Sequence, residues 1–323
     1  MKKRILGGLF GLALIASSVL AGCGKKEAVS VNVAALKGPT TMGLVKLMDD
    51  SDKGNTPDKY EVTMYTQPDE VLKEVIAGNA DIALVPANMA SVLYNKTEGG
   101  VSVIDINTLG VLYLVSADTS IKSLADLEGR TVCMTGKGAT PEYAFSYLLD
   151  KAGLTDKVNV EFKSEATEVV AYLASGEDTV GILPQPFVTA ACIQNESLSP
   201  VLDLSALWDE ASDDGSRLVT GVTLVRNDFL KEHKDAVTEF IKQHGASVDY
   251  VNANAAEAGE LVAAAGIVEK APVAAKAIPG CNLVCISGSE MKNTLSGYLA
   301  VLAGQDPAMV GGSLPGDDFY FLP

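Results

Sequence analysis

Short apolar runs alternate along the chain with segments whose apolar residues recur every three or four positions. VNVAAL (31–36), DIALVP (81–86), TVCMT (131–135) and VGILP (180–184) have the length and composition of buried strands. EVLKEVIAG (70–78) and EVVAYLASG (168–176) have helical spacing and stop at glycine, the residue that most readily closes a helix. Strands and helices in alternation predict an α/β fold with largely parallel sheets.

The pattern also repeats. EVLKEVIAGNADIALVPANMA (70–90) lies over EVVAYLASGEDTVGILPQPFV (168–188) at a constant offset of 98 residues, without a gap. Glu70 falls on Glu168, Val71 on Val169, Gly78 on Gly176 and Pro86 on Pro184; the same offset carries Gly38 to Gly136 and Val62 to Val160. A period this long is no solenoid; it predicts two similar lobes, each with a mostly parallel sheet flanked by helices. SVIDINTLGVLYLVSADTS (102–120) reads as a strand crossing from the first lobe to the second, and RLVTGVTLVRNDFL (217–230) as the return. Ser123 is placed to cap a helix before Asp126. The expected organisation is lobe 1 over 31–115 plus 221–323 and lobe 2 over 116–220, with two crossing segments as a hinge.

Composition narrows the class. The chain has 323 residues, 47% of them hydrophobic and 20% charged, enough for two domains and too apolar for disorder. Residues 1–22 read as an export signal: a basic MKKR, an apolar stretch broken by Gly7, Gly8 and Gly11, and small residues before Cys23. Leu20-Ala21-Gly22-Cys23 resembles the bacterial lipobox, which implies cleavage before Cys23, lipidation of that thiol, and residues 23–30 as anchor and tether. Cleavage there would remove Lys2, Lys3 and Arg4 and take the formal charge from −16 to −19. Such a surface repels nucleic acid and offers it no basic stripe.

The remaining chemistry is sparse. Cys133 and Cys192 read as small core residues. If CNLVCIS (281–287) is a strand, Cys281 and Cys285 stand roughly 13 Å apart along it, too far for a disulfide. If it is a helix they share a face, but no histidine is near in sequence to complete a zinc site; a disulfide stays open. His233 and His244, the two histidines, fall in LKEHKDAVTEFIKQHG, expected as a charged, exposed helix. No nucleophile elbow or paired-histidine metal motif occurs, so no catalytic residue, metal or cofactor is expected, and the chain reads as a non-enzyme.

Ligands of open parallel sheets sit beyond the carboxyl ends of the strands, where the repeated loops would face each other. The first loop pair is Lys37, Gly38, Thr40 and Thr41 against Gly136, Lys137 and Thr140. Glycine admits close backbone approach, threonines supply hydroxyls, and helix N-termini present free N–H groups. The bland alternative is capping and tight turns. The second pair is the proline loops, with Asn88 and Gln185 as amides able to orient a polar solute. Tyr65 is a candidate aromatic wall; Tyr113 and Tyr143 could serve likewise, though packing explains any single tyrosine equally well.

VAALKGPTTMGLVKL, VIAGNADIALVPANMASVL, SLADLEGRTVCMTGKGATPEYAFSYLLDKAGL and GILPQPFVTAA together resemble the solute-binding lipoproteins of ABC importers, in their nitrate, sulfonate and thiamine-precursor branch. The resemblance spans roughly residues 30–320 and implies the type II periplasmic-binding-protein fold. It further implies capture of a small organic or anionic solute by hinge closure and delivery to an ABC permease. The ATPase would be a separate chain, since no phosphate-binding Gly-x-x-x-x-Gly-Lys loop occurs here. A monomer, lipid-anchored through Cys23 on the outer face of the cell membrane, completes the expectation. Enzymes of vitamin or menaquinone metabolism share the fold, and a sensory or adhesive lipoprotein is a third reading.

Overall fold

A computed structural model of the protein describes residues 28–323. The expected signal peptide and Cys23 lie outside the described residues. Within them, no helix is long and apolar enough to cross a membrane.

The first half-fold runs β1 (Ser30–Leu36), α1 (Pro39–Met42), α2 (Val45–Asp52), β2 (Lys59–Tyr65), α3 (Pro68–Ala77), β3 (Ile82–Pro86), α4 (Ala87–Lys96) and β4 (Val101–Leu109). The second runs β5 (Leu112–Ser116), β6 (Thr131–Met134), α5 (Thr140–Lys151), β7 (Asn159–Phe162), α6 (Ala166–Leu173), β8 (Val180–Pro184), α7 (Phe187–Gln194), β9 (Ser199–Asp203) and α8 (Leu204–Ala211). The chain returns through β10 (Val219–Arg226), α9 (Asn227–Glu232), α10 (Lys234–Ala253), α11 (Ala255–Ala264), α12 (Ala271–Ala277), β11 (Leu283–Ile286) and α13 (Gly288–Gln305).

Two sheets result, ordered β11-β4-β10-β3-β1-β2 and β7-β6-β8-β5-β9. Each holds three adjacent parallel strands, β3-β1-β2 in the first and β7-β6-β8 in the second, and a strand delivered by the crossing chain pairs antiparallel beside them: β10 in the first sheet, where β11 is also antiparallel to β4, and β5 in the second. Because β5 pairs with β8 and β9, the first sheet ends at Leu109 and the second begins at Leu112, a few residues ahead of the expected 115/116 boundary. Gly110 makes that crossing; a Cβ there would come within 2.4 Å of Ser205 Oγ and 2.7 Å of Leu218 Cδ2.

The repeat appears in the helix starts. α3 opens with a capping box between Gln67 and Glu70, and α6 with one between Glu165 and Glu168. Ser123 forms the same device with Asp126, on a 3₁₀ turn rather than an α-helix. The gapless offset needs correction at the leading strand. Val33 pairs with Val62 and Ile82, whereas Val132 pairs with Val160 and Val180. The offset is therefore 98 at the second and third strands but 99 at the first. A one-residue shift moves side chains to the other face of a strand, so the pairings and not the aligned letters fix the correspondence.

One large apolar core extends through both lobes, from Val71 and Leu93 in the first to Phe145 and Trp208 in the second. Trp208 is fully buried, with its ring centroid 4.3 Å from that of Tyr147 and 5.7 Å from that of Tyr298 on α13. Its indole N–H donates to Ser216 Oγ over 3.3 Å. α13 thus follows the return chain yet packs its side chains onto the second lobe.

The exposed helix expected for both histidines is not what forms. α10 buries one face, including Val237, Phe240, His244 and Val248. His233 is half-buried at the helix start, its ring 4.8 Å from that of Phe229. His244 is fully buried, with Nδ1 3.1 Å from Asp105 Oδ2 on β4. Asp105, His244 and Cys285 converge, correcting the reading that no histidine stands near the cysteine pair. The physical reason is distance along the chain, since 139 residues separate Asp105 from His244. Cys133, Cys192, Cys281 and Cys285 are all free thiols.

Candidate functional site: the interlobe cleft

Four helices, α3, α4, α5 and α6, follow parallel strands, and they differ in how their N-termini are satisfied. α3 and α6 cap themselves through their own side chains. α4 starts after Pro86 and α5 after Ala139 with no side-chain cap at either. The first N–H groups of α4 therefore remain available to water or a ligand, whereas in α5 Pro141 has no N–H and that of Glu142 bonds Ala139 O at 3.1 Å. Both ends border one cleft of about 670 Å³, within the size range of small-molecule sites.

The cleft takes a wall from each lobe and a floor from the crossing chain. Lobe 1 supplies Pro86, Asn88, Met89 and Val92, with Ala308 and Met309 from the turn after α13. Lobe 2 supplies Gly138, Ala139, Thr140, Pro141, Ile182 and Pro184. Val111 and Leu112 come from the crossing itself, and Thr220 from the start of β10. Most of this surface is apolar. Its polar groups are the Asn88 amide, the hydroxyls of Thr135, Thr140 and Thr220, and the exposed Lys96. Asn88 donates one N–H to the Met309 carbonyl over 3.3 Å, which fixes its amide plane at the wall. Gly138, at φ 70°, turns the second wall and donates its N–H to Glu142 Oε2 over 2.5 Å.

Of the residues singled out by sequence, Asn88 and Thr140 border this cleft. The others lie elsewhere. Lys37 is exposed at the end of β1, its backbone N–H bonded to Tyr65 O at 2.8 Å. Gly38 follows at φ 149° with open space where a Cβ would stand. Thr40 and Thr41 are buried, and both hydroxyls donate to Leu36 O, over 3.0 and 2.6 Å. Tyr65 borders a smaller hollow with Asn32, Glu74 and Asn79, and its phenol is pushed up by burial and then by Glu74 and Glu70. Gly136 and Lys137 border a separate outer hollow with Phe162, over whose ring the Lys137 ammonium sits at 5.9 Å. Gln185 is buried, its Oε1 accepting from Thr189 N at 3.3 Å and Thr189 Oγ1 at 2.8 Å.

Two tyrosines that could have been walls link parts of the molecule instead. Tyr113 donates its hydroxyl to Gly280 O at 2.9 Å, and burial drives its phenol well above the ordinary range. Tyr143 on α5 donates to Asp306 Oδ2 at 3.0 Å, a hydrogen bond between the lobes beside the cleft. Sequence reading missed Met89, Val92 and Lys96. A signal was present: they sit at i, i+3 and i+7 on α4, one face of the helix that begins at Pro86.

The architecture is that of two α/β lobes with a cleft between them. A crystal structure of an ABC transporter protein from Parabacteroides distasonis superposes with a TM-score of 0.76, at 23% identity over 91% of this chain and 99% of that one. The periplasmic aliphatic sulphonate binding protein SsuA of Escherichia coli gives a TM-score of 0.70, at 14% identity over 91% and 92%. A Brucella abortus (strain 2308) protein, named only provisionally as a binding protein, is 26% identical over 192 residues, 59% of this chain and 58% of its own length. The chain thus matches less than two thirds of that relative. The NMT1/THI5-like family matches residues 59–258, and the chain belongs to that family.

Proposed function

We propose that this protein is the extracytoplasmic solute-binding lipoprotein of an ABC importer, holding a small organic or anionic solute in the interlobe cleft. The observation that carries the reading is the division of the cleft between lobes. A ligand touching Asn88 on one wall and Thr140 on the other gains contacts in the closed state that the open state lacks, so it shifts the equilibrium toward closure. The crossings at 109–112 and before Val219 provide the hinge. The open end of α4, with the Thr140 hydroxyl opposite, would receive a polar or weakly anionic group, while Met89, Val92, Ile182 and Met309 would pack its apolar part.

On this reading Cys23 carries the lipid, the chain is a monomer that performs no reaction, and the closed lobes dock on a permease whose ATPase is a separate chain. Family membership, the E. coli sulphonate-binding neighbour and the cleft support it together. The test is mass spectrometry of the gently purified protein under native and denaturing conditions. A small mass present in the first and lost in the second is the expected result, and that mass gives the ligand class. A bare protein whose melting temperature is unmoved by sulfonates, nitrate, carboxylates and pyrimidines would overturn the proposal.

A further inference from the structure

The geometry points to a second site, away from the cleft: Asp105, His244 and Cys285 form a buried zinc site that clips β11 and α10 to β4. The three residues come from three different elements, and their ligand atoms lie within 4.8 Å of one another. Asp105 Oδ2 and His244 Nδ1 stand 3.1 Å apart. Two such ligands on a tetrahedral zinc ion are separated by roughly 3.3 Å, and a nitrogen–sulfur pair by roughly 3.5 Å, from the usual bond lengths. The carboxylate–imidazole pair is already at ligand spacing, and the site closes when the sulfur moves inward by about 1 Å.

The surroundings are arranged as an outer shell. Thr223 donates its hydroxyl to the second oxygen of Asp105 at 2.7 Å, and Asn107 donates to Thr223 Oγ1 at 3.2 Å. That leaves Oδ2 oriented toward His244. Second-shell bonds of this kind hold metal-binding carboxylates in place. Asp105 is fully buried, and among the described residues no lysine or arginine pairs with it. His244 Nε2 is buried without a hydrogen-bond partner and lies outside this shell. A carboxylate, a thiolate and a divalent cation sum to zero charge, which removes the cost of burying the carboxylate alone.

The donor set selects the ion. A thiolate with an imidazole suits zinc and disfavours the hard cations calcium and magnesium. Cys285 is half-buried on the edge strand, and its thiol donates to Ile241 O over 3.6 Å, a contact that metal binding would replace. Binding forms Zn–S, Zn–N and Zn–O bonds and releases the thiol proton to solvent, with no change of oxidation state. Three protein ligands leave a fourth position for water. The structural gain falls on β11, which pairs with β4 only at Leu283 and Ile286, across a register irregularity.

The test uses the purified chain stripped with a chelator and titrated with cobalt(II) as a spectroscopic stand-in. The expected result is one equivalent bound with a thiolate-to-cobalt absorption band, displaced by zinc. Zinc at a hundredfold excess over its Kd is expected to raise the melting temperature by roughly 5 °C. Cys285→Ser should abolish the band and weaken zinc binding at least tenfold. Absence of a thiolate band, or a serine variant that binds zinc as tightly as the parent, overturns the site. Should that variant fail to fold, alkylation of the unaltered chain decides: zinc must slow modification of Cys285 while leaving the similarly half-buried Cys192 unaffected. Equal rates with and without zinc overturn the proposal.

Discussion

The two lobes repeat one half-fold, yet they meet the cleft with different parts. In lobe 2 the loop after the first parallel strand forms the wall, with Gly138, Ala139 and Thr140 facing the cavity. In lobe 1 the corresponding loop is turned inward: Thr40 and Thr41 both bond Leu36 O, and α1 stops after four residues. The difference follows from what covers each loop. The return chain lays α10 over α2 in lobe 1, where Ser247 accepts the Leu47 N–H at 3.0 Å and donates to Gly43 O at 2.6 Å. That layer pins the α1–α2 joint into the core. Lobe 1 borders the cleft through its proline loop and α4 instead. Repeated topology therefore does not imply a repeated site, because layers added later reassign polar side chains from contact to packing.

The comparison can be broken most severely at Trp208. Its replacement by alanine should cost about 3–5 kcal/mol in urea unfolding followed by circular dichroism. Because Tyr298 on α13 packs against this ring, the loss is expected as one shifted transition for the whole chain. Two separated transitions would mean that the lobes are energetically independent.

A matched pair of threonines sharpens the division of labour. Thr41→Ala should lose about 1 kcal/mol of stability, the usual worth of a buried hydrogen bond, and leave ligand affinity unchanged. Thr140→Ala should weaken the ligand found by native mass by roughly 2- to 12-fold in calorimetry, with a nearly constant melting temperature. The reverse pattern would place the ligand against the first-lobe loop.

The smallest effect concerns acid. Asp118 in lobe 2 is held at about 2 by bonds from the Ser120 hydroxyl and N–H and from Arg130. Asp126 and Asp214, also in lobe 2, are lowered by hydrogen bonds from neighbouring N–H and hydroxyl groups. A carboxylate whose folded pKa is depressed stabilises the fold above its unfolded value, near 4, and that contribution is lost as pH falls through the folded value. Melting curves from pH 5 to 2 should therefore show Asp118→Asn less stable than the parent at pH 5 and converging with it near pH 2. A constant difference across that range would remove the titration argument.

Much of the fold was legible in the sequence. The cap at Ser123, the glycine after α3 and the prolines that end β3 and β8 are signals within a few residues. The lining of the cleft was legible only in part. Asn88 and Thr140 were reached from the rule about strand ends, and both line the cleft. Lys37 and Lys137 share neither a position relative to their strands, one residue after β1 and three after β6, nor an environment. Met89, Val92 and Met309 were overlooked because apolar side chains on a helix look alike whether they face a core or a cavity.

What the sequence by itself determined is the half-fold and its duplication, since periodicity, caps and turn residues act over one or two turns of chain. The one-residue slip between β1 and β6 was beyond it, because register is set by hydrogen-bonded neighbours 29 or 49 residues apart in one lobe and 28 or 48 in the other. The burial of His244 against Asp105 was beyond it too. α10 carries enough charge to read as exposed, and only the packing of the return layer onto β4 and α2 decides which face is dry. Burial is a property of what arrives from elsewhere in the chain, and that is decided by the tertiary structure alone.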